Sequence, residues 1–140
     1  MPRTQIAPVV LLGEAPVAYT TTVIDAALVT NGIAIPAAGE HQRLVIRITN
    51  ASVAEKIVTI KSSPADNLYP KGAGHTFLAG RGDLVVAVPA SGDTIVTGLE
   101  SARFGQRDDA ALVNVGALLI DLVAGHTGVI SVHKLPKSTV

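Results

Sequence analysis

The chain has 140 residues and a mass of 14.3 kDa, with 48% hydrophobic, 16% charged and 3% aromatic residues and a mean hydropathy of +0.44. That length holds one domain with a proper core, and the composition excludes disorder, which needs low hydrophobicity and high net charge. Eleven basic and eleven acidic residues cancel and cysteine is absent, which argues against a general nucleic-acid or membrane-surface binder and excludes disulfides, thiolate metal sites and a cysteine nucleophile.

Residues 1–16 carry Pro2, Pro8 and Pro16, so this segment is expected to be an extended arm rather than a core strand. Its apolar run, residues 6–12, follows Arg3, contains Pro8 and ends at Gly13-Glu14 with no small-x-small cleavage site, so no cleaved leader is expected. Residues 22–30 are rich in Val, Ile and Thr and suit a strand as well as a helix.

From there the period is two. Residues 43–49 place Leu44, Ile46 and Ile48 on one face and Arg43, Val45, Arg47 and Thr49 on the other. Residues 57–61 repeat the scheme with Val58 and Ile60 inward, and the polar stretch 50–56 joins the two as in a hairpin. Residues 62–83 contain Pro64, Pro70, Gly72, Gly74, Gly80 and Gly82 with Tyr69, His75 and Phe77 between them, the composition of a long loop. Residues 84–88 form a short strand stopped by Pro89-Ala-Ser-Gly92, and strand character resumes over 93–97. One helical turn is predicted over 98–104, closed by Gly105. Strands at 112–115, 117–123 and 128–135 complete the set, with Gly116 at a bulge or break. The most apolar stretch, 110–120, is broken by Asn114 and Gly116 and falls well short of the roughly 20 residues a membrane span needs. Seven to nine short strands with regular turn signals predict an antiparallel sandwich or small barrel.

Chemical motifs are few. The Gly-rich stretch 71–83 lacks the terminal Gly-Lys-Ser/Thr of a phosphate loop and leads into a strand, so backbone turns explain its glycines better. His41, His75, His126 and His133 show no metal-ligand spacing, and Asp108-Asp109 lacks the partner Glu of a calcium loop. Arg81-Gly82-Asp83 has the form of an integrin-binding tripeptide, with a turn as its simpler reading, and Asn50-Ala51-Ser52 matches a glycosylation acceptor. Neither a Ser/His/Asp elbow nor a matched carboxylate pair is visible, so no enzyme and no cofactor are expected. With two Tyr, two Phe and no Trp, the material for an aromatic platform is limited to a small one at Tyr69 and Phe77. Low charge and positive hydropathy are explained most simply by burial in an oligomer or against a larger body, with burial in the monomer alone as the alternative, since many of the apolar residues are small alanines.

Several segments then line up in one order: Pro2-Arg3-Thr4, Asn31-Gly32-Ile33, residues 43–50, Val58-Thr-Ile60, Val88-Pro-Ala-Ser-Gly-Asp93, residues 99–106 and the closing strand 128–134 running into Leu135-Pro136-Lys137. In these the chain resembles the head decoration, or cement, proteins of tailed bacteriophages, from Thr22 onward over most of its length. The 62–83 insertion is longer than the hairpin usual there. The resemblance implies a jelly-roll or β-tulip-like single β domain over residues 17–140 and a structural role on the virion. The protein would be made in the host cytoplasm and bind the outer capsid surface as a homotrimer, contacting the major capsid protein and neither nucleic acid nor membrane. The contacts would come from the arm and the loop, at Arg3, Thr4, Ile6, Tyr69, Lys71, His75 and Phe77. The rival reading is a receptor- or carbohydrate-binding β-sandwich of a tail or fibre, with a platform at Tyr69 and Phe77. An enzyme comes third and needs His41, His75 and a carboxylate brought together.

Overall fold

The structure is a computed structural model and describes residues 3–36, 40–62, 83–99, 104 and 116–136. In chain order the strands are β1 (Thr4–Gln5), β2 (Val9–Val10), β3 (Thr22–Val23), β4 (Ile33–Pro36), β5 (Leu44–Thr49), β6 (Lys56–Lys61), β7 (Leu84–Val88), β8 (Asp93–Thr97), β9 (Ala117–Leu122) and β10 (Val129–Lys134). Helix α1 (Ala26–Asn31) precedes β4, and a 3₁₀ turn, His41–Arg43, leads into β5.

Two sheets pack as a sandwich, ordered β1-β4-β9-β6-β7 and β2-β10-β5-β8, with β3 also on β10. The alternation read from the sequence is the alternation of burial. In β5 Leu44, Ile46 and Ile48 are wholly buried, while Val45, Arg47 and Thr49 face outward. A one-residue slip would send three large aliphatic side chains into water, so the register is fixed by burial. Ile33 and Ile35 of β4, Leu118 and Ile120 of β9 and Val58 and Ile60 of β6 supply the opposite layer, and Val96, Ile130 and Val132 join the β5 side.

The sandwich is mixed rather than purely antiparallel. β1 lies parallel to β4, Thr4 beside Ile33, and β2 lies parallel to β10, Val9 beside His133. The amendment comes from the segment 1–16, which the sequence marks as an extended arm. Residues 4–10 do not stand off as a free arm: they lie on the edges of this domain's own two sheets. The Thr4 and Ile6 amides donate to the Gly32 and Ala34 carbonyls at 3.0 Å, and the Leu11 amide donates to Lys134 at 2.8 Å. Ile6 packs against the core between the two pairings. Pro8 sits at the crossing, where no ladder N–H is required.

The ambiguous stretch 22–30 divides. β3 occupies its start, and Asp25 then caps α1, its carboxylate accepting from the Leu28 amide at 2.9 Å. Ile24 and Leu28 reach the core, and Gly32, at φ 75°, ends the helix with its N–H on the Leu28 carbonyl. Leu99 and Phe104, from the turn predicted over 98–104, are buried in the core. The strand predicted at 112–115 and the interior of the long loop lie outside the described residues.

Candidate functional site

The contact residues inferred from resemblance separate into two groups. Arg3, Thr4 and Ile6 are engaged by their own domain: Arg3 Nη1 donates to Asp121 Oδ1 at 2.6 Å and to the Ile120 carbonyl at 3.2 Å, Thr4 belongs to β1, and Ile6 packs on the core. Tyr69, Lys71, His75 and Phe77 lie outside the described residues, as do Arg81 and Gly82.

The neck of the long loop is described. Asp83 accepts from Lys61 Nζ at 2.6 Å and, through Oδ1, from the Ser62 amide at 2.8 Å and hydroxyl at 3.0 Å. Burial pushes this carboxyl up, but the hydrogen bonds from Lys61 and Ser62 outweigh it and leave it below the usual carboxylate range. The acidic end of the Arg81-Gly82-Asp83 tripeptide is thus occupied in closing the loop base.

Two of the histidines occupy separate buried positions. His41 is buried beneath the 3₁₀ turn, where burial pushes its pKa down and the Lys134 charge adds to that, against a hydrogen bond with the Ala117 backbone. His126 is buried in the β9–β10 connection and donates Nε2–H to the Thr49 carbonyl at 2.9 Å. Among the described residues no cluster of His, Asp and Glu could hold a metal ion.

The polar chemistry that does converge lies on the outer face of the β10-β5-β8 sheet. Register sets Arg47 between Ser131 of β10 and Ile95 of β8, with Thr49 opposite Asp93 and Val45 between His133 and Thr97. Arg47 donates Nε and Nη2 to Asp93 Oδ2 at 2.8 and 2.5 Å, and Nη1 to the Tyr19 hydroxyl at 3.2 Å. The Tyr19 ring stacks on His133, centroids 5.6 Å apart and planes within 8°. Its hydroxyl lies 3.5 Å from Ser131 Oγ, and the hydrogen bonds with Ser131 and Arg47 hold its pKa below the ordinary phenol value. Tyr19 was not singled out by its sequence, because nothing local marks a residue that folds over a strand more than a hundred positions away.

Beside this ladder an open recess of about 530 Å³ is lined by Arg47, Thr49, Asn50, Ser91, Gly92 and Asp93. Its floor is built on Asn50. The buried Nδ2 group donates toward the Ala54, Val88 and Pro89 carbonyls at 2.8, 3.2 and 3.2 Å, and Oδ1 accepts from the Ser52 amide and hydroxyl at 2.9 and 2.7 Å. An amide so committed has no nitrogen to offer a glycan, so the Asn50-Ala51-Ser52 pattern marks a turn in the folded chain.

Strands β7 and β8 end their respective sheets, and the turn after Val88 sets them on one side of the sandwich, where Thr94 Oγ1 donates to the Ala87 carbonyl at 3.0 Å. Among the described residues neither has a strand on its outer edge. Val85 and Ile95 there are 63% and 61% exposed. Among the described residues no helix is long and apolar enough to cross a membrane. Comparison with protein-family models, curated proteins and solved structures finds no match to this chain.

Proposed function

We propose that this chain is a structural decoration protein of a bacteriophage head, which binds the outer capsid surface and bridges neighbouring subunits. The observation that carries the reading is the β7 edge. Leu84-Val-Val-Ala-Val88 holds no charge and no proline, and among the described residues no strand is ladder-paired to its outer side, where the Thr94 hydroxyl takes up only the Ala87 carbonyl. Edges of this kind are normally blunted by lysine, proline or a covering element, because unpaired N–H and C=O groups recruit another chain. Strand addition supplies main-chain hydrogen bonds, and alternate side chains such as Val85 and Ala87 supply selectivity. A domain that pairs only with the assembled shell stabilises that shell by linkage, and many modest contacts on a closed lattice act together. The segmental resemblance to cement proteins points the same way and adds the trimer, which light scattering checks as a species near three times 14.3 kDa.

Co-sedimentation with expanded capsid shells of tailed bacteriophages tests the reading. The native chain is expected to pellet with shells. The double variant Val85→Lys/Ala87→Lys, at exposed positions, is expected to bind at least about tenfold more weakly with its thermal midpoint nearly unchanged. Failure of the native chain to bind, or full binding by the double variant, overturns it. Removing residues 1–14 is the poorer test, since it also removes β1, β2 and the Ile6 packing.

A further inference from the structure

The recess beside Asn50 and the Tyr19 ladder are one continuous surface, because Arg47 belongs to both. Its charge balance narrows what could sit there. Among the described residues Arg47 and Asp93 are the only charged ones lining the recess, and they pair with each other, so these residues bring no net charge to attract a phosphate, a carboxylate or a cation. Their pairing nonetheless leaves hydrogen-bonding capacity. Both Arg47 contacts fall on Asp93 Oδ2, so Asp93 Oδ1 and two guanidinium N–H groups have no protein partner among the described residues. An acceptor beside donors, with the Ser91 hydroxyl nearby, matches neighbouring hydroxyl groups, each of which donates and accepts.

The aromatic component is adjacent and already fixed. Tyr19 is 59% exposed, its ring rests on His133 and its hydroxyl is tied to Arg47, so little ordering entropy is lost when a ligand lies against it. An apolar ring face beside polar groups suits a molecule with C–H patches and hydroxyls on one body. We propose that the recess bordered by Tyr19, Arg47 and Asp93 is a binding site for a neutral saccharide. The ring lies against Tyr19 and two adjacent hydroxyls bridge Asp93 Oδ1 and the Arg47 N–H groups. The site uses none of the loop aromatics Tyr69 and Phe77, and it stands whether or not the chain decorates a capsid. An open recess without deep walls implies weak binding of a single sugar unit, on the order of millimolar.

The test is a ¹H–¹⁵N correlation titration of the full chain with glucose, galactose, mannose and N-acetylglucosamine in turn, and with inorganic phosphate as the charged comparison. At least one sugar is expected to shift the amides of Tyr19, Arg47, Ser91, Gly92 and Asp93 saturably, and phosphate is expected not to. Tyr19→Ala, at an exposed position, is expected to weaken the response at least about fivefold while the remaining spectrum keeps its dispersion. Asp93→Ala, which removes the acceptor from the other side, is expected to do the same. No response to any of the four sugars overturns the proposal, as does a response to phosphate alone or one that persists in both variants.

Discussion

Replacing Asn50 by alanine tests how the recess and the β7–β8 side are held. The native side chain donates two N–H groups shared among the Ala54, Val88 and Pro89 carbonyls, and it accepts from the Ser52 amide and hydroxyl, all with Asn50 at 2% exposure. Four hydrogen bonds at about 1 kcal/mol net each set an upper figure near 4 kcal/mol. The Ser52 hydroxyl recovers part of its share, since it also donates to the Ala54 carbonyl at 2.7 Å. The expected cost is therefore about 3 kcal/mol, or about 9 °C in thermal midpoint for a chain of this length. The sharper comparison is Asn50→Asp, nearly isosteric and still able to accept from Ser52. At neutral pH it turns a carboxylate oxygen toward three carbonyls, so it is expected to be worse than alanine and to recover in acid, where a protonated carboxyl can donate. Urea unfolding followed by far-UV circular dichroism reads both variants at constant m-value. A cost below about 1 kcal/mol for Asn50→Ala, or an aspartate milder than alanine at pH 7, would refute the assignment of this residue as the tie between the 50–55 connection and the β7–β8 turn.

Two further tests follow from the same geometry. A Cβ at Gly128, where φ is +129°, would stand 2.6 Å from both the carbonyl and hydroxyl oxygens of Thr49. Gly128→Ala is therefore expected to cost about 3 kcal/mol or more, against about 1 kcal/mol for Gly98→Ala, where φ is +69° but the space is open. Equal thermal midpoints for the two would remove the steric half of that argument. His41 is held below its ordinary pKa of 6.5, first by burial, so the unfolded chain takes up its proton at higher pH than the folded one. Stability from this residue is full above about pH 6.5 and declines as the pH falls below it. Unfolding free energies at pH 8 and 5.5 are expected to differ less in His41→Gln than in the native chain, and an unchanged difference would show that His41 is not the group responsible.

The strands with strict alternation were legible before folding because period-two burial is a local property. Residues 84–88 and 93–97 coincide with β7 and β8, residues 43–49, 57–61 and 117–123 differ from β5, β6 and β9 by one residue at one end, and 128–135 exceeds β10 by one residue at each end. Residues 22–30 were ambiguous because β-branched residues fit either geometry; the decisive signal was Asp25, whose carboxylate is placed to cap the Leu28 amide. The candidate surface was scarcely legible. Arg47 read as an outward residue of a strand, Asp93 as the start of another and Asn50 as part of a turn. Their common role exists only once β5, β8 and the turn after Val88 are side by side.

The sequence alone determined an all-β fold, sandwich or small barrel, the inward and outward sets of its longer strands, and a charge balance unsuited to polyanions, since each depends on residue type and short-range spacing. Tertiary structure alone decided that the proline-bearing N-terminal segment runs along the edges of both sheets, that β7 and β8 bound one side of the sandwich, and that Tyr19 meets His133 across 114 positions of chain. These are pairings between distant segments, chosen by the burial they achieve together and not by any preference of the residues taken singly.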